Sequence, residues 1–330
     1  MKTPAITAPD DTTDGSAPDA STSRILQGLG LMLVAMLIAP LIDVFAKLAT
    51  ADTSPTMITA ARFVFQALFM LPIVLAQGLW RDFRWKRSGY HAIRAAIITL
   101  SMICFVATLA VMQVADAVAI FFVQPIILTI LASIFLGETI GWRRYTACAV
   151  GFLGAMIVIR PSFQDVGPVA LLPVVTAFCV AIFALMTRAL SQREHPWSMQ
   201  FQMSLWGILI CALLLALGSA TGIEFLQPSM PDLATVGLFA GVGLAASLSG
   251  ILSVYAYRGA PASVLAPMQY MEIVSATLFG WLVFSDFPDA IKWLGISIII
   301  GSGLYIIWRE RRLASRPVTE TEKITATVEP

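Results

Sequence analysis

Polar side chains interrupt several long apolar stretches of this sequence, and they are the residues that could bind or move a solute. Glu272 lies in the apolar stretch that follows Ala260-Pro261, a few residues after Gln269 and Tyr270. A charged side chain in the middle of a bilayer costs roughly 2.5–3.5 kcal/mol on insertion scales. Glu272 therefore indicates an aqueous cavity or uptake of a proton, and with it a ligand contact or a proton-coupling site. The alternative is that Glu272 reaches the membrane interface from about three helical turns inside.

Two earlier apolar stretches carry charges of both signs. Asp43 and Lys47 are four residues apart, so they share a helix face and can pair. Arg62 could attract a substrate carboxylate or phosphate, or Asp43 itself. Gln66 lies one turn further along the same face and offers both donors and acceptors. Lys47 and Arg62 could equally extend to the interface, since long basic side chains do so readily.

Two glutamines occupy matching positions in the two halves of the chain. Either amide could bond a substrate or a neighbouring helix, as polar side chains in membranes commonly do. Tyr270 adds an aromatic ring that could stack on a flat substrate. The match is at one constant offset: Ala115, Ala117 and Gln124 correspond to Ala260, Ala262 and Gln269.

The composition indicates which elements position these residues. Of the 330 residues, 58% are hydrophobic and 12% are charged, against about 25% charged in a soluble domain. A spanning helix needs about 20 apolar residues, and the runs lack the alternation of barrel strands. We therefore predict an all-α integral membrane protein with ten transmembrane helices, at about 25–49, 56–78, 92–113, 116–137, 142–160, 167–188, 198–220, 233–256, 261–285 and 289–308.

The placement of Lys and Arg predicts the orientation of these spans. Basic residues follow the even-numbered spans, which places both termini in the cytoplasm. The halves 24–160 and 161–310 each hold five spans, so the second is inverted relative to the first. Two inverted repeats are the plan of secondary transporters, which bind their substrate near the midplane. Residues 1–23 and 311–330 are polar and are predicted to be disordered cytoplasmic tails.

Other classes of site find little support. The net charge of +1 offers no basic surface for nucleic acid. His91 and His195 fall in predicted loops far apart, so neither a metal nor a catalytic site is expected, and no ATP-binding loop occurs. We expect no cofactor and no enzyme activity.

The expected partners are a small-molecule solute and the bilayer, and a homodimer is left open. All four cysteines lie in apolar segments, where small buried side chains are common: Cys104, Cys148, Cys179 and Cys211.

Six short motifs are spread over both halves of the chain. They are Ala61-Arg62-Phe63, Leu136-Gly137-Glu138, Gly151-Phe152-Leu153-Gly154, the stretch from Ala260 to Tyr270, the stretch from Gly280 to Phe284, and the stretch from Gly303 to Glu310. Their order resembles that in the EamA-type transporters of the drug/metabolite transporter superfamily. The similarity covers about residues 25 to 310, and it departs at Asp286, where the family more often has Glu. The resemblance implies ten helices in two repeats and transport of small organic solutes; members export amino acids or import vitamins or S-adenosylmethionine.

The residues and the resemblance together predict a secondary transporter working by alternating access in the bacterial inner membrane. The candidate binding residues carry both signs, which suits a small polar or zwitterionic metabolite such as an amino acid, S-adenosylmethionine or a riboflavin-like vitamin. Proton coupling and the direction of transport are left open. The alternatives are a channel or receptor and a membrane-embedded enzyme. The loops are too short and too poor in Asp, Glu and His for the enzyme.

The predicted orientation can be tested with reporters fused to either end of the chain. A fluorescent protein that matures only in the cytoplasm should be bright at both termini. A phosphatase that is active only outside the cytoplasm should be active when inserted after Ala51, which follows the first span. A terminus found outside the cell, or an odd number of spans, would contradict the inverted repeat.

Overall fold

The protein is described by a computed structural model. It covers residues 20–82, 88–110, 117, 120–137, 142–159, 169 and 171–284, together with helical residues 293–295, 297–298, 300–302, 304–305 and 308. Both predicted tails lie outside this range except for residues 20–23, which form the start of the first helix. Asp286, Glu138 and Ala115, which the sequence analysis used, also lie outside it.

The described residues form helices and short 3₁₀ turns, with no strand among them. The all-helical expectation is thereby confirmed for the part of the chain that the structure describes. The helices are α1 (Ala20–Ile38), α2 (Pro40–Ala49), α3 (Pro55–Ala76), α4 (Ser88–Leu109), α5 (Gln124–Leu136), α6 (Trp142–Ile159), α7 (Leu172–Ser191), α8 (Pro196–Thr221), α9 (Leu233–Gly259), α10 (Ala262–Leu265) and α11 (Glu272–Phe284).

Six described helical stretches are long and apolar enough to cross a membrane. They are Ser23–Ala49, which joins α1 and α2, and the helices α3, α4, α7, α8 and α9. Each has between 20 and 27 residues, and about 20 residues at 1.5 Å each span the hydrocarbon core. The chain is thus a multi-pass membrane protein. The fourth, fifth, ninth and tenth predicted spans correspond to shorter described helices or helical fragments.

Two of the predicted spans are broken rather than straight. The first breaks between α1 and α2, because Pro40 has no N–H to continue the helical ladder. The ninth was predicted as one helix over 261–285, but α10 gives way to a 3₁₀ segment at Ala266–Met271 before α11 begins at Glu272. Pro267 lies at the start of this segment, where its ring is tolerated and its missing donor favours a change of helix type.

The helices pack in pairs that join the two halves of the chain. Among the described elements α1 packs on α9, α4 packs on α7, and α3 packs on α8. In addition, α3 contacts α9, α4 contacts α8, and α5 lies against α7. The 3₁₀ segment and α11 lie against α1 and α2. The core therefore forms between the halves rather than within either of them.

The two ends of this bundle differ in charge. At one end, which we call the basic end, lie the exposed side chains of Arg24, Arg81, Arg193 and Arg258. At the opposite end lie the exposed acidic side chains of Asp52, Glu224 and Asp232. Asp232 caps α9 outside the membrane span, and hydrogen bonds from the Thr235 hydroxyl and backbone amide hold the pKa of its carboxyl below its usual range.

The opposite end is closed by hydrogen bonds between α3 and the segment that follows α8. Ser54 caps α3 and donates its hydroxyl to the carbonyl of Gln227 at 2.7 Å. Thr56 donates to the carbonyl of Phe225 at 2.8 Å. The turn that ends α8 depends on Gly222, because its φ of 74° is a conformation that glycine adopts at little cost.

Close approach of α3 and α8 depends on a glycine facing an aromatic ring. An ideal Cβ added to Gly207 would lie 2.5 Å from Cγ of Phe63, and Phe63 is fully buried. Small residues at such positions let membrane helices pack closely.

We predict that Gly207→Ala lowers the stability of the protein in detergent, whereas Gly237→Ala in α9 does not. Both changes raise helix propensity by about 1 kcal/mol, but nothing lies within 4 Å of a Cβ at Gly237. Overpacking against Phe63 costs roughly 1–3 kcal/mol, so the two variants should differ in the direction of their shift in thermal unfolding temperature. Equal shifts would contradict the close packing.

Candidate functional site

Three charged side chains from three helices meet inside the bundle. Asp43 of α2 lies within electrostatic reach of Arg62 in α3, and Glu272 at the start of α11 lies within reach of Asp43. The kink before α2 and the 3₁₀ segment before α11 determine where Asp43 and Glu272 fall. The three residues that the sequence analysis placed on separate helices are thus brought together, and we call them the charged group.

The charged group is not sealed off by its neighbours. Asp43, Arg62 and Glu272 lie among the helices, yet each is only half-buried and keeps some accessible surface. Accessible surface lowers the cost of keeping charge inside the membrane, because water or a solute can solvate it.

Arg62 connects the charged group to the second half of the chain. Its Nη1 lies 3.6 Å from Sδ of Met102 in α4, and its guanidinium lies 5.6 Å from the ring centroid of Phe63. Cys211 of α8 is also within its electrostatic reach. The guanidinium therefore sits where α2, α3, α4 and α8 converge, with apolar and sulfur-containing neighbours that leave it able to bind an anionic group.

Gln66 lies one helical turn after Arg62 in α3, towards the basic end, and is fully buried. Neither Nε2 nor Oε1 of its amide has a hydrogen-bond partner among the described residues. A buried amide left unpaired costs roughly 1–3 kcal/mol. The amide of Gln66 therefore has a donor and an acceptor that its described neighbours leave unpaired.

The remaining sequence-predicted residues form a separate, tightly packed group. Gln269 donates its amide to the hydroxyl of Tyr257 at 3.1 Å. Tyr270 is fully buried, stacks on Phe122 at 5.7 Å between ring centroids, and packs against Gly151 of α6. Both residues belong to the 3₁₀ segment.

Gln124 begins α5, which packs against the 3₁₀ segment. It is 2% exposed, and its Nε2 has no hydrogen-bond partner among the described residues. Lys47 lies towards the opposite end, with Nζ 5.4 Å from the ring centroid of Phe284.

The sequence analysis missed two titratable residues inside the bundle. His91 was expected in a loop and Arg94 was not among the candidate residues, but α4 begins at Ser88 and contains both. His91 is 1% exposed and Arg94 is fully buried. The missing signal was their spacing of three, which puts both on one face of a helix, together with Glu194 in the loop between α7 and α8.

Several apolar spans around an accessible charged group are the features of a membrane transporter rather than an enzyme or an anchor. The chain belongs to the EamA-like transporter family, which matches residues 26–160 and again residues 167–308. The chain is therefore expected to carry a small metabolite across a membrane.

Curated relatives span nearly the whole chain. A riboflavin transporter of Rhizobium johnstonii is 30% identical over 89% of this chain and 95% of its own length. An S-adenosylmethionine uptake transporter of Rickettsia bellii is 27% identical over 88% of this chain and 97% of its own length. A solved crystal structure shares the fold with a TM-score of 0.69 at 15% identity, covering 91% of this chain and all of that one.

The electrostatic attraction between Asp43 and Arg62 predicts non-additive effects on stability. Asp43→Asn or Arg62→Gln alone leaves the other charge without its partner, which should cost roughly 1–3 kcal/mol. The double variant removes both charges and should be more stable than the sum of the single losses predicts. Thermal unfolding of the four proteins in one detergent measures the coupling, and additive losses would show that the two residues do not interact.

Proposed function

We propose that the protein is a secondary transporter that moves a small zwitterionic metabolite across the bacterial inner membrane by alternating access. In this proposal ten helices form two inverted five-helix repeats, at residues 24–160 and 161–310, and both termini face the cytoplasm. The observation that carries the proposal is the charged group, which retains accessible surface between helices of both halves.

The helix pairs support the repeat. In the proposed repeat α1 is equivalent to α7, α3 to α8, and α4 to α9. The contact of α1 with α9 is then equivalent to that of α7 with α4, and the contact of α3 with α9 to that of α8 with α4. All four contacts occur. The α3–α8 contact maps onto itself. This pairing is the one that a twofold axis in the membrane plane would give, and it therefore supports the proposed inverted repeat.

The distribution of charge supports the orientation. The basic end carries exposed arginines and the opposite end carries exposed acidic residues among the described positions. Loops rich in Lys and Arg stay in the cytoplasm. The basic end is therefore assigned to the cytoplasm and the opposite end to the periplasm.

The charges of the site favour one class of solute. Arg62 offers a planar donor to a carboxylate, while Asp43 and Glu272 attract a cationic centre. Two carboxylates against one guanidinium give the site an excess of negative charge when all three are ionised. An amino acid-type zwitterion with an additional cationic centre fits this balance better than a neutral solute does. S-adenosylmethionine, named for one group of relatives, has these features.

A flat neutral vitamin is the second candidate, because a relative with 30% identity is named a riboflavin transporter. Such a solute would depend on amide and aromatic contacts rather than on the charged group. Neutralising Asp43 or Glu272 should therefore affect the two solutes differently, which separates the candidates.

A solute screen with purified protein in lipid vesicles tests the function. We expect saturable uptake of an amino acid-type zwitterion, with accumulation against its gradient, which a channel cannot achieve. Running the screen with and without a pH gradient decides whether protons drive the accumulation. Binding without uptake would favour a receptor, and uptake of riboflavin alone would favour the second candidate.

We predict that Glu272→Gln reduces uptake of the zwitterion at least about tenfold, since hydrogen bonds to charged groups contribute roughly 1.5–3 kcal/mol. Glu224→Gln is the matched control, because Glu224 is exposed at the opposite end. Initial rates are compared at equal amounts of protein in the vesicles. Unchanged uptake and unchanged dependence on pH in Glu272→Gln would remove this residue from the mechanism.

A further inference from the structure

A second cluster of charged side chains lies near the basic end, apart from the charged group. Arg94 of α4 is fully buried, and its Nη2 donates to Oγ1 of Thr187 at 3.0 Å and to Oε1 of Gln200 at 3.2 Å. Its guanidinium also lies 4.8 Å from the ring centroid of Phe183. These partners belong to α7 and α8, so one cation of the first half is held by two helices of the second.

An ion pair lies one turn closer to the basic end. Nε2 of His91 lies 2.9 Å from Oε2 of Glu194, and the two side chains are 1% and 11% exposed. Glu194 belongs to the loop between α7 and α8 and is also within electrostatic reach of Arg94. Both His91 and Arg94 of α4 thus interact with the same short loop and the helices that it joins.

Further contacts close the basic end around this cluster. Arg188 donates to the carbonyl of Tyr257, and the amide of Gln192 donates to the carbonyl of Arg258 at 2.9 Å. At the same end an ideal Cβ on Gly28 of α1 would lie 3.0 Å from Cβ of Ala260. Among the described residues these contacts bridge the two halves at the basic end, whereas the charged group keeps accessible surface.

We propose that His91, Arg94, Thr187, Glu194 and Gln200 form a latch that holds the basic end closed and must open in each transport cycle. The inference rests on the alternating access proposed above. A solute that leaves at the basic end has to pass where α4 meets α7 and α8, and the latch residues bridge that junction.

The chemistry of the latch suits repeated opening better than an apolar contact would. Nη2 of Arg94 and Nε2 of His91 have their partners only in the closed arrangement, which defines its geometry. Nε and Nη1 of Arg94 have no hydrogen-bond partner among the described residues, so the closed arrangement is not so tightly bonded that it cannot open. Once α4 separates from the loop, water enters and solvates the same charges, so the open arrangement is also supported. Two discrete arrangements of one polar network are what a switching element needs.

The test measures access to a position just inside the latch. Ser204 is fully buried in α8, one turn beyond Gln200 towards the middle of the membrane. The substitution S204C replaces a hydroxyl with a thiol of similar size, in a background whose four native cysteines are changed to alanine. A membrane-impermeant maleimide is then added to one face of oriented vesicles, in the absence of any solute.

We expect Glu194→Gln and His91→Gln each to raise the rate of labelling from the basic-end face. The expected increase is between about 5-fold and about 150-fold, the usual range of coupling between sites. Arg193→Gln is the matched control, because Arg193 is exposed in the same loop and next to Glu194. It should label like the parent protein. The double variant should label no faster than the faster single variant, since both break one pair.

Arg94→Gln should give the largest increase, but loss of a buried cation could also unfold the protein. Glu194→Gln keeps the size and one hydrogen bond of the side chain, so it tests the latch even if Arg94→Gln fails to fold. If Glu194→Gln and His91→Gln label at the parent rate, the latch is refuted. If labelling rises but no solute is transported by the parent protein, the transport function fails and the latch stands.

Discussion

A charge inside a bilayer must be given a partner or water, and this constraint explains most of the described interior. The bundle contains two clusters of charge that meet the constraint in opposite ways. Asp43, Arg62 and Glu272 keep accessible surface. His91 and Arg94 are sealed and receive protein partners from the other half of the chain. One cluster is thus ready for a solute, and the other holds helices together.

The sequence predicted the first cluster because its residues interrupt long apolar runs, where a charge stands out. It predicted the helical membrane fold for the same reason, and the family match supports the similarity seen in the motifs. It did not predict that Asp43, Arg62 and Glu272 meet, because that depends on how three helices pack. It also named Gln269 and Tyr270 as binding residues, which stays a prediction; the structure packs these two among Tyr257, Phe122 and Gly151.

The second cluster escaped prediction for a physical reason. His91 and Arg94 come shortly after a run of basic residues, and a basic run next to an apolar stretch usually marks the membrane boundary. The partners that allow them to be buried are about 90 or more residues away along the chain. Glu194, Thr187 and Gln200 are each unremarkable in sequence, so only the tertiary contact of α4 with α7 and α8 reveals their role.

The 3₁₀ segment at Ala266–Met271 immediately precedes Glu272. A 3₁₀ helix rises about 2.0 Å per residue with three residues per turn, whereas an α-helix rises about 1.5 Å with 3.6. If these few residues relaxed to α-helical geometry, everything after them would be drawn back by about 3 Å and turned by about 120°. A change from 3₁₀ to α-helical geometry in this segment alone would therefore rotate the Glu272 carboxylate away from Asp43.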